Sequence, residues 1–141
     1  MDTTCAYMIT ALYKQFFAFS TEEVQKLGLN YGQLPFVLYV GKYPSCSPKQ
    51  LKEALKYDWG HTQRSITRLV DEGFLNKTRR TDDARTYALT LTEKGQQAFD
   101  VSHQFFAMWD ASRMDVLSAE EQASMRAMLK KLLSAYKPDE E

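Results

Sequence analysis

Between Ser47 and Gly95 the chain gives two helix-start signals in quick succession, then two short runs around a charged turn. Ser47 is a capping residue, Pro48 suits the first helical position and Gln50 completes a capping box, which predicts a helix over residues 48–56. Asp58 caps a second helix that Gly73 ends. Residues 75–80 and 85–91 then read as strands, with Tyr87, Leu89 and Leu91 alternating in the second and Thr81 to Ala84 as the turn. Two short helices joined by a tight turn and followed by a β-hairpin form a winged helix-turn-helix. The expected fold class is therefore mainly α with a small β-hairpin wing.

The two helices carry distinct faces. In the first, Leu51 and Leu55 share a side with Ala54 next to them, while Lys49, Lys52 and Lys56 point elsewhere, placed to touch phosphates. In the second, Thr62, Ile66, Leu69 and Val70 face inward, and His61, Gln63, Arg64, Thr67 and Arg68 face outward. Arginine can serve guanine or phosphate, glutamine suits adenine, and threonine or histidine can bond bases or backbone. The hairpin tip adds Arg79, Arg80, Asp82, Asp83 and Arg85, more charge than a structural turn requires. An aspartate two residues before an arginine can hold the guanidinium in one pose. Less entropy is then lost when it enters a narrow, negative minor groove.

A net charge of zero argues at first against a polyanionic partner, but its distribution does not. From Lys49 to Arg85 nine Lys/Arg stand against six Asp/Glu, a net +3, and the remainder holds nine against twelve, a net −3. A modestly basic module on an acidic frame would orient itself on a polyanion.

The flanks read as helices. Thr3 or Thr4 caps a first helix to about Phe19, with Met8, Leu12, Phe16 and Phe19 on one face and Tyr7, Ile9, Tyr13 and Phe17 widening it. Such breadth fits either a core helix or one that packs against another subunit. Ser20-Thr-Glu-Glu23 reads as a capping box for a separate short turn ending at Gly28. Asn30-Tyr-Gly-Gln33 opens a helix through Leu34, Val37, Leu38 and Gly41, in which Pro35 predicts a bend or a delayed start. Tyr43-Pro44 closes it. After the hairpin, Thr92 caps a long helix to about Arg113, and Ser118-Ala-Glu-Glu121 caps a last one. Its apolar seam is Met125, Met128, Leu129, Leu132 and Leu133, with Pro138 and a frayed acidic tail beyond.

Leu51-Lys-Glu-Ala-Leu55, Ile66-Thr-Arg-Leu69, Asp71-Glu-Gly73-Phe-Leu75, Asp83-Ala-Arg85 and Leu89-Thr-Leu-Thr-Glu-Lys-Gly95 together resemble the MarR family of bacterial transcription regulators. Leu29-Asn-Tyr-Gly-Gln33 resembles that family's opening of the preceding helix, although Pro35 replaces an apolar residue and Trp59-Gly60-His61 is an unusual start for a recognition helix. The resemblance implies a homodimer on a pseudo-palindromic double-stranded DNA operator, a repressor more often than not. The organisation expected is one domain over 1–141, with dimerisation helices in 1–28 and 93–141 and the DNA-binding part in 29–92. Arg85 would enter the minor groove, oriented by Asp83, with His61, Gln63, Arg64 and Thr67 near bases or phosphates.

Family members often release DNA on binding a small aromatic or phenolic effector. Phe16, Tyr31, Tyr39, His103, Phe106 and Trp109 are the candidates to line such a pocket, or they are dimer core. Cys5 lies in the first helix, where oxidant-sensing relatives keep a reactive thiol, but no cation that would lower its pKa is visible near it, so the residues favour a buried, inert thiol. Cys5 and Cys46 form no CxxC pair, so no disulfide scaffold is expected. With two histidines and two scattered cysteines, neither is a metal site. No nucleophile–base set or phosphate-binding glycine loop appears, so neither an enzyme nor a cofactor is expected. The rival of a different class is a winged helix that contacts proteins instead of DNA. No apolar run reaches a membrane span and no signal-peptide layout is visible, which predicts a cytoplasmic protein without a membrane partner.

Overall fold

The structure is a computed structural model, and it describes residues 3–137. The elements are α1 (Cys5–Lys26), α2 (Leu34–Lys42), α3 (Pro48–Leu55), α4 (Trp59–Asp71), β1 (Leu75–Arg79), β2 (Tyr87–Leu91), α5 (Glu93–Ser102), α6 (Phe105–Arg113) and α7 (Ala119–Ala135), with a short 3-10 turn at Met114–Val116. The chain divides into two compact units, Met1–Phe105 and Phe106–Glu141. Among the described residues no helix is long and apolar enough to cross a membrane.

The first unit is built on one apolar core. Phe36, Val37 and Val40 of α2, Leu51 of α3, Ile66 and Leu69 of α4, Phe74, Leu75, and Leu89 of β2 are all fully or almost fully buried. Strands β1 and β2 pair antiparallel, Leu75 opposite Leu91 and Arg79 opposite Tyr87. Cys46 adds a bridge on the other side of β2, with Ser45 N–H donating to Leu89 O at 2.9 Å and Leu89 N–H to Cys46 O at 2.8 Å. The loop before α3 is thereby tied to the wing.

Four sequence expectations change. Helix α1 does not stop at Phe19. It runs unbroken from the Thr4 cap to Lys26, and Ser20, expected to cap a new turn, is inside it. No glycine or proline interrupts residues 5–26, and the Ser20 hydroxyl donates to Phe17 O at 3.1 Å instead of capping. Leu27 caps its end, and beyond it Gly28, at φ 82°, lets Leu29 N–H reach back to Val24 O and Gly28 N–H to Gln25 O.

The long helix expected from Thr92 to Arg113 is broken at His103 and Gln104 into α5 and α6. The Phe99 carbonyl accepts from Ser102 Oγ (2.8 Å), His103 Nδ1 (2.7 Å) and His103 N (3.3 Å), so local side-chain bonds compete with the helical ladder there.

The strands are shorter than expected, leaving Arg80 and Arg85 in the tip, and α3 stops at Leu55 with Lys56 in the left-handed region at φ 59°. Pro35 gives the delayed start. Asn30 and Gln33 close their reciprocal box at 2.9 Å each, yet α2 begins only at Leu34, with proline in its first turn where no helical N–H is required.

In the second unit Ser118 caps α7 with the expected box, and Gln122 Nε2 donates to the carbonyls of Met114 and Leu117. Helix α7 buries no residue, and Met128, Leu129, Leu132 and Leu133 are exposed. The expected stop at Pro138 and the acidic tail lie outside the described residues.

Candidate nucleic-acid interface

Helix α4 is fixed from both ends and from beneath. At its start Asp58 Oδ1 accepts from His61 N–H at 2.7 Å. At its end Gly73 takes φ 85°, a conformation glycine adopts without strain, and lets Phe74 N–H return to Leu69 O at 2.8 Å. Thr62, Ile66 and Leu69 are fully buried, so the rotation of the helix about its axis is set. Gln63, Arg64, Thr67 and Arg68 are left exposed on the opposite side.

His61 departs from its expected outward role. Its ring lies 4.3 Å from Tyr57 and 5.9 Å from Phe36, centroid to centroid, and its Nε2 is buried without a hydrogen-bond partner among the described residues. Arg68 is exposed but held, its Nε 2.7 Å from Glu72 Oε1. Glu72 also accepts from buried Gln33 at 3.3 Å, which links the start of α2 to the end of α4. The hydrogen bond from Arg68 chiefly keeps the Glu72 carboxyl below its usual range. Sequence reasoning missed Glu72 and Gln33 as a pair, since nothing local connects residues this far apart.

The wing tip separates its three arginines. Arg85 projects with its side chain 90% exposed, and Asp83 Oδ1 accepts from both its backbone N–H (3.0 Å) and its Nε (3.1 Å). The hydrogen bond from the Arg85 side chain is the main reason the Asp83 carboxyl ionises below the ordinary aspartate range. Arg80 is committed to the protein. It grips Asp82 with two nitrogens at 2.8 and 3.0 Å and donates to Ser45 O at 3.1 Å, bracing the wing against the loop before α3. Arg79 donates to Ala84 O and lies over the Tyr87 ring, 5.1 Å from its centroid, with Lys77 over that ring at 4.4 Å. The sequence marked all three as contacts; Arg79 and Arg85 are exposed and Arg80 is half-buried.

The six aromatic and histidine candidates for a ligand site are divided between the two units. In the first, Tyr31 OH is 3.2 Å from Ser20 Oγ and its ring 4.9 Å from Phe17, while Tyr39 packs on Tyr43 at 4.8 Å and Phe16 on Phe19 at 6.3 Å. His103 is exposed, its ring 4.3 Å from Phe99. In the second, Arg113 lies over Trp109 at 5.6 Å, and Phe106 is exposed. A separate cavity of about 410 Å³ opens between residues 30–33 and α4, lined by Asn30, Gln33, His61, Arg64, Ser65 and Arg68. Cys5 is exposed, not buried as the sequence reading favoured, and Cys46 is buried, its thiol pushed up to about 11 by burial. Among the described residues no cluster of three or more His, Cys, Asp or Glu could hold a metal ion.

Known proteins resemble this chain in sequence and in fold. A family model described as transcriptional regulator SarA/Rot matches residues 18–101. The HTH-type transcriptional regulator BilQ of Clostridium symbiosum (strain WAL-14163) is 38% identical over 132 residues, spanning 94% of this chain and 92% of that protein. Among solved structures, the YusO protein from Bacillus subtilis superposes with a TM-score of 0.84 at 21% identity, over 93% of each chain. An S. aureus MepR mutant bound to oligodeoxyribonucleotide gives 0.79 at 18% identity, over 96% of this chain and all of that one.

Proposed function

The chain belongs to the SarA/Rot family of transcriptional regulators, which have the MarR-type winged helix, and from that premise we propose that it binds operator DNA as a homodimer. Arg85 carries this reading: an exposed cation held ready at the wing tip by a charged neighbour suits the minor groove, where groove narrowing strengthens the negative potential. Helix α4 enters the adjacent major groove with Gln63, Arg64 and Thr67 toward the bases, and Arg68, Arg79 and Lys49 serve phosphates. His61 and Arg80 support the surface from behind. The oligodeoxyribonucleotide bound to the similarly folded S. aureus MepR mutant supports DNA as the partner.

The dimer is supported by the apolar residues left exposed on α1 and α7, among them Tyr7, Met8, Leu12, Leu132 and Leu133. Two copies related by a two-fold axis present two α4 helices, so the operator is a pseudo-palindrome with half-sites about 34–36 Å apart. The regulator represses, and a small aromatic or phenolic ligand releases it. Support for the ligand is the Phe17–Tyr31 pair with its hydroxyl partner Ser20, an aromatic wall with one polar handle.

Selection of bound sequences from random duplex DNA tests the reading, with parallel arms containing phenolic carboxylates or peroxide. Enrichment of a two-fold symmetric sequence supports it. Recovery of no common sequence by the purified protein would remove the DNA-binding claim.

A further inference from the structure

Gly60 is the second residue of α4, in the first turn of the helix proposed to read bases. Glycine is a poor helix former because it surrenders the most backbone freedom on folding. Its φ is not in the left-handed region, so no turn geometry demands it there. Its surroundings supply another reason. A Cβ on Gly60 would stand 3.0 Å from Arg64 Nη1 and 3.3 Å from Asp58 Oδ1. Arg64, one helical turn on, lies back along the bare first turn, the direction in which helical side chains lean.

Neighbouring groups leave that turn to Arg64. His61 is folded onto Tyr57 and Phe36, and Arg68 is drawn toward the far end of the helix by Glu72. We propose that Gly60 is a positioning residue for base reading: its missing side chain seats the Arg64 guanidinium over the N-terminal turn of α4 and so fixes which base pair Arg64 addresses. The inference rests on the DNA-binding reading above. It gives the unusual Trp59-Gly60-His61 opening a task that is separate from folding.

The test compares wild type, Arg64→Ala, Gly60→Ala, Gly60→Leu and the double variant Gly60→Leu/Arg64→Ala. Each is put through selection from random duplex DNA and titrated with the wild-type sequence. If the wild type itself enriches nothing, the DNA-binding reading falls and this inference with it. Given enrichment, Gly60→Leu should lose preference at the same base pairs as Arg64→Ala, with affinity down about tenfold or more, the scale of one lost bidentate base contact. Gly60→Ala should fall between, since Arg64 need give way only slightly. In the Arg64→Ala background Gly60→Leu should cost nothing further. Melting temperatures should stay level or rise, because alanine and leucine are the better helix formers.

Three results would overturn the proposal. Gly60→Leu could keep the wild-type preference while Arg64→Ala changes it, or Arg64→Ala could leave the preference intact. The cost of Gly60→Leu could also persist without Arg64, which would assign the glycine to close approach of the DNA backbone instead.

Discussion

At the scale of single residues, charge and burial sort the polar groups into those aimed outward and those spent inside. Asp83 acts on Arg85 through charge, so Asp83→Asn should weaken operator binding several-fold while lowering the melting temperature only slightly, because the pair is solvent-exposed. Because the Asp83 carboxyl is held below its ordinary value of 3.8, its contribution is present above that pH and is lost as pH falls through the lower folded value. The difference between wild type and Asp83→Asn should therefore be the same at about pH 5.5 and 8, measured by anisotropy titration. Cys46 has the opposite sign. Burial raises its thiol from 9.0 to about 11, so the folded state is most favoured below 9.0 and loses that margin as pH climbs toward 11. In a Cys5→Ser protein, Cys46 should resist a thiol reagent at neutral pH until denaturant is added. Rapid labelling of the native protein would contradict the burial of that side chain. The Asp83–Arg85 pair was legible in the sequence because both partners sit in one turn. The inward fold of His61 and the Arg80–Ser45 bond were not, since each depends on a surface brought in from another element.

Among elements, the junction of α4, β1 and α5 leaves no room for an added side chain. Thr92 Oγ1 accepts from Gly95 N–H at 3.0 Å and donates to Gly73 O at 2.6 Å, and a Cβ on Gly95 would run into the Phe74 carbonyl. Gly95→Ala should therefore destabilise the fold by about 1–3 kcal/mol, the usual cost of overpacking, read as a lowered denaturation midpoint. An unchanged midpoint would mean the junction has slack that the geometry does not show. Helix starts were read well from sequence because a cap is local: Ser47, Asp58, Thr92 and Ser118 all cap as expected. Two boundaries misled for the same reason. Ser20 carries a cap pattern but sits in a stretch with nothing to stop the helix before it, and its hydroxyl meets Tyr31, a partner visible only after folding. The break after α5 comes where two side chains join the ordinary helical N–H on the Phe99 carbonyl, and no glycine or proline between Ala98 and Arg113 announces it.

For the whole molecule, a neutral chain with a basic module can bind DNA if two modules act together. Leu132→Glu on exposed α7 should shift the protein from dimer to monomer in sedimentation. It should also cut operator affinity by about 100-fold or more, the scale lost when two linked sites become one. The apolar seams of α1 and α7 were legible from periodicity, and the structure leaves both exposed. Whether the wing and α4 together grip duplex DNA is decided by binding isotherms of wild type and Arg85→Ala on the selected duplex across a salt series. Wild-type affinity should fall steeply with salt. Arg85→Ala should lose about tenfold or more and show a shallower slope, as expected when one groove-inserted cation is removed. Superimposable isotherms for the two proteins would contradict a wing that reaches into the groove.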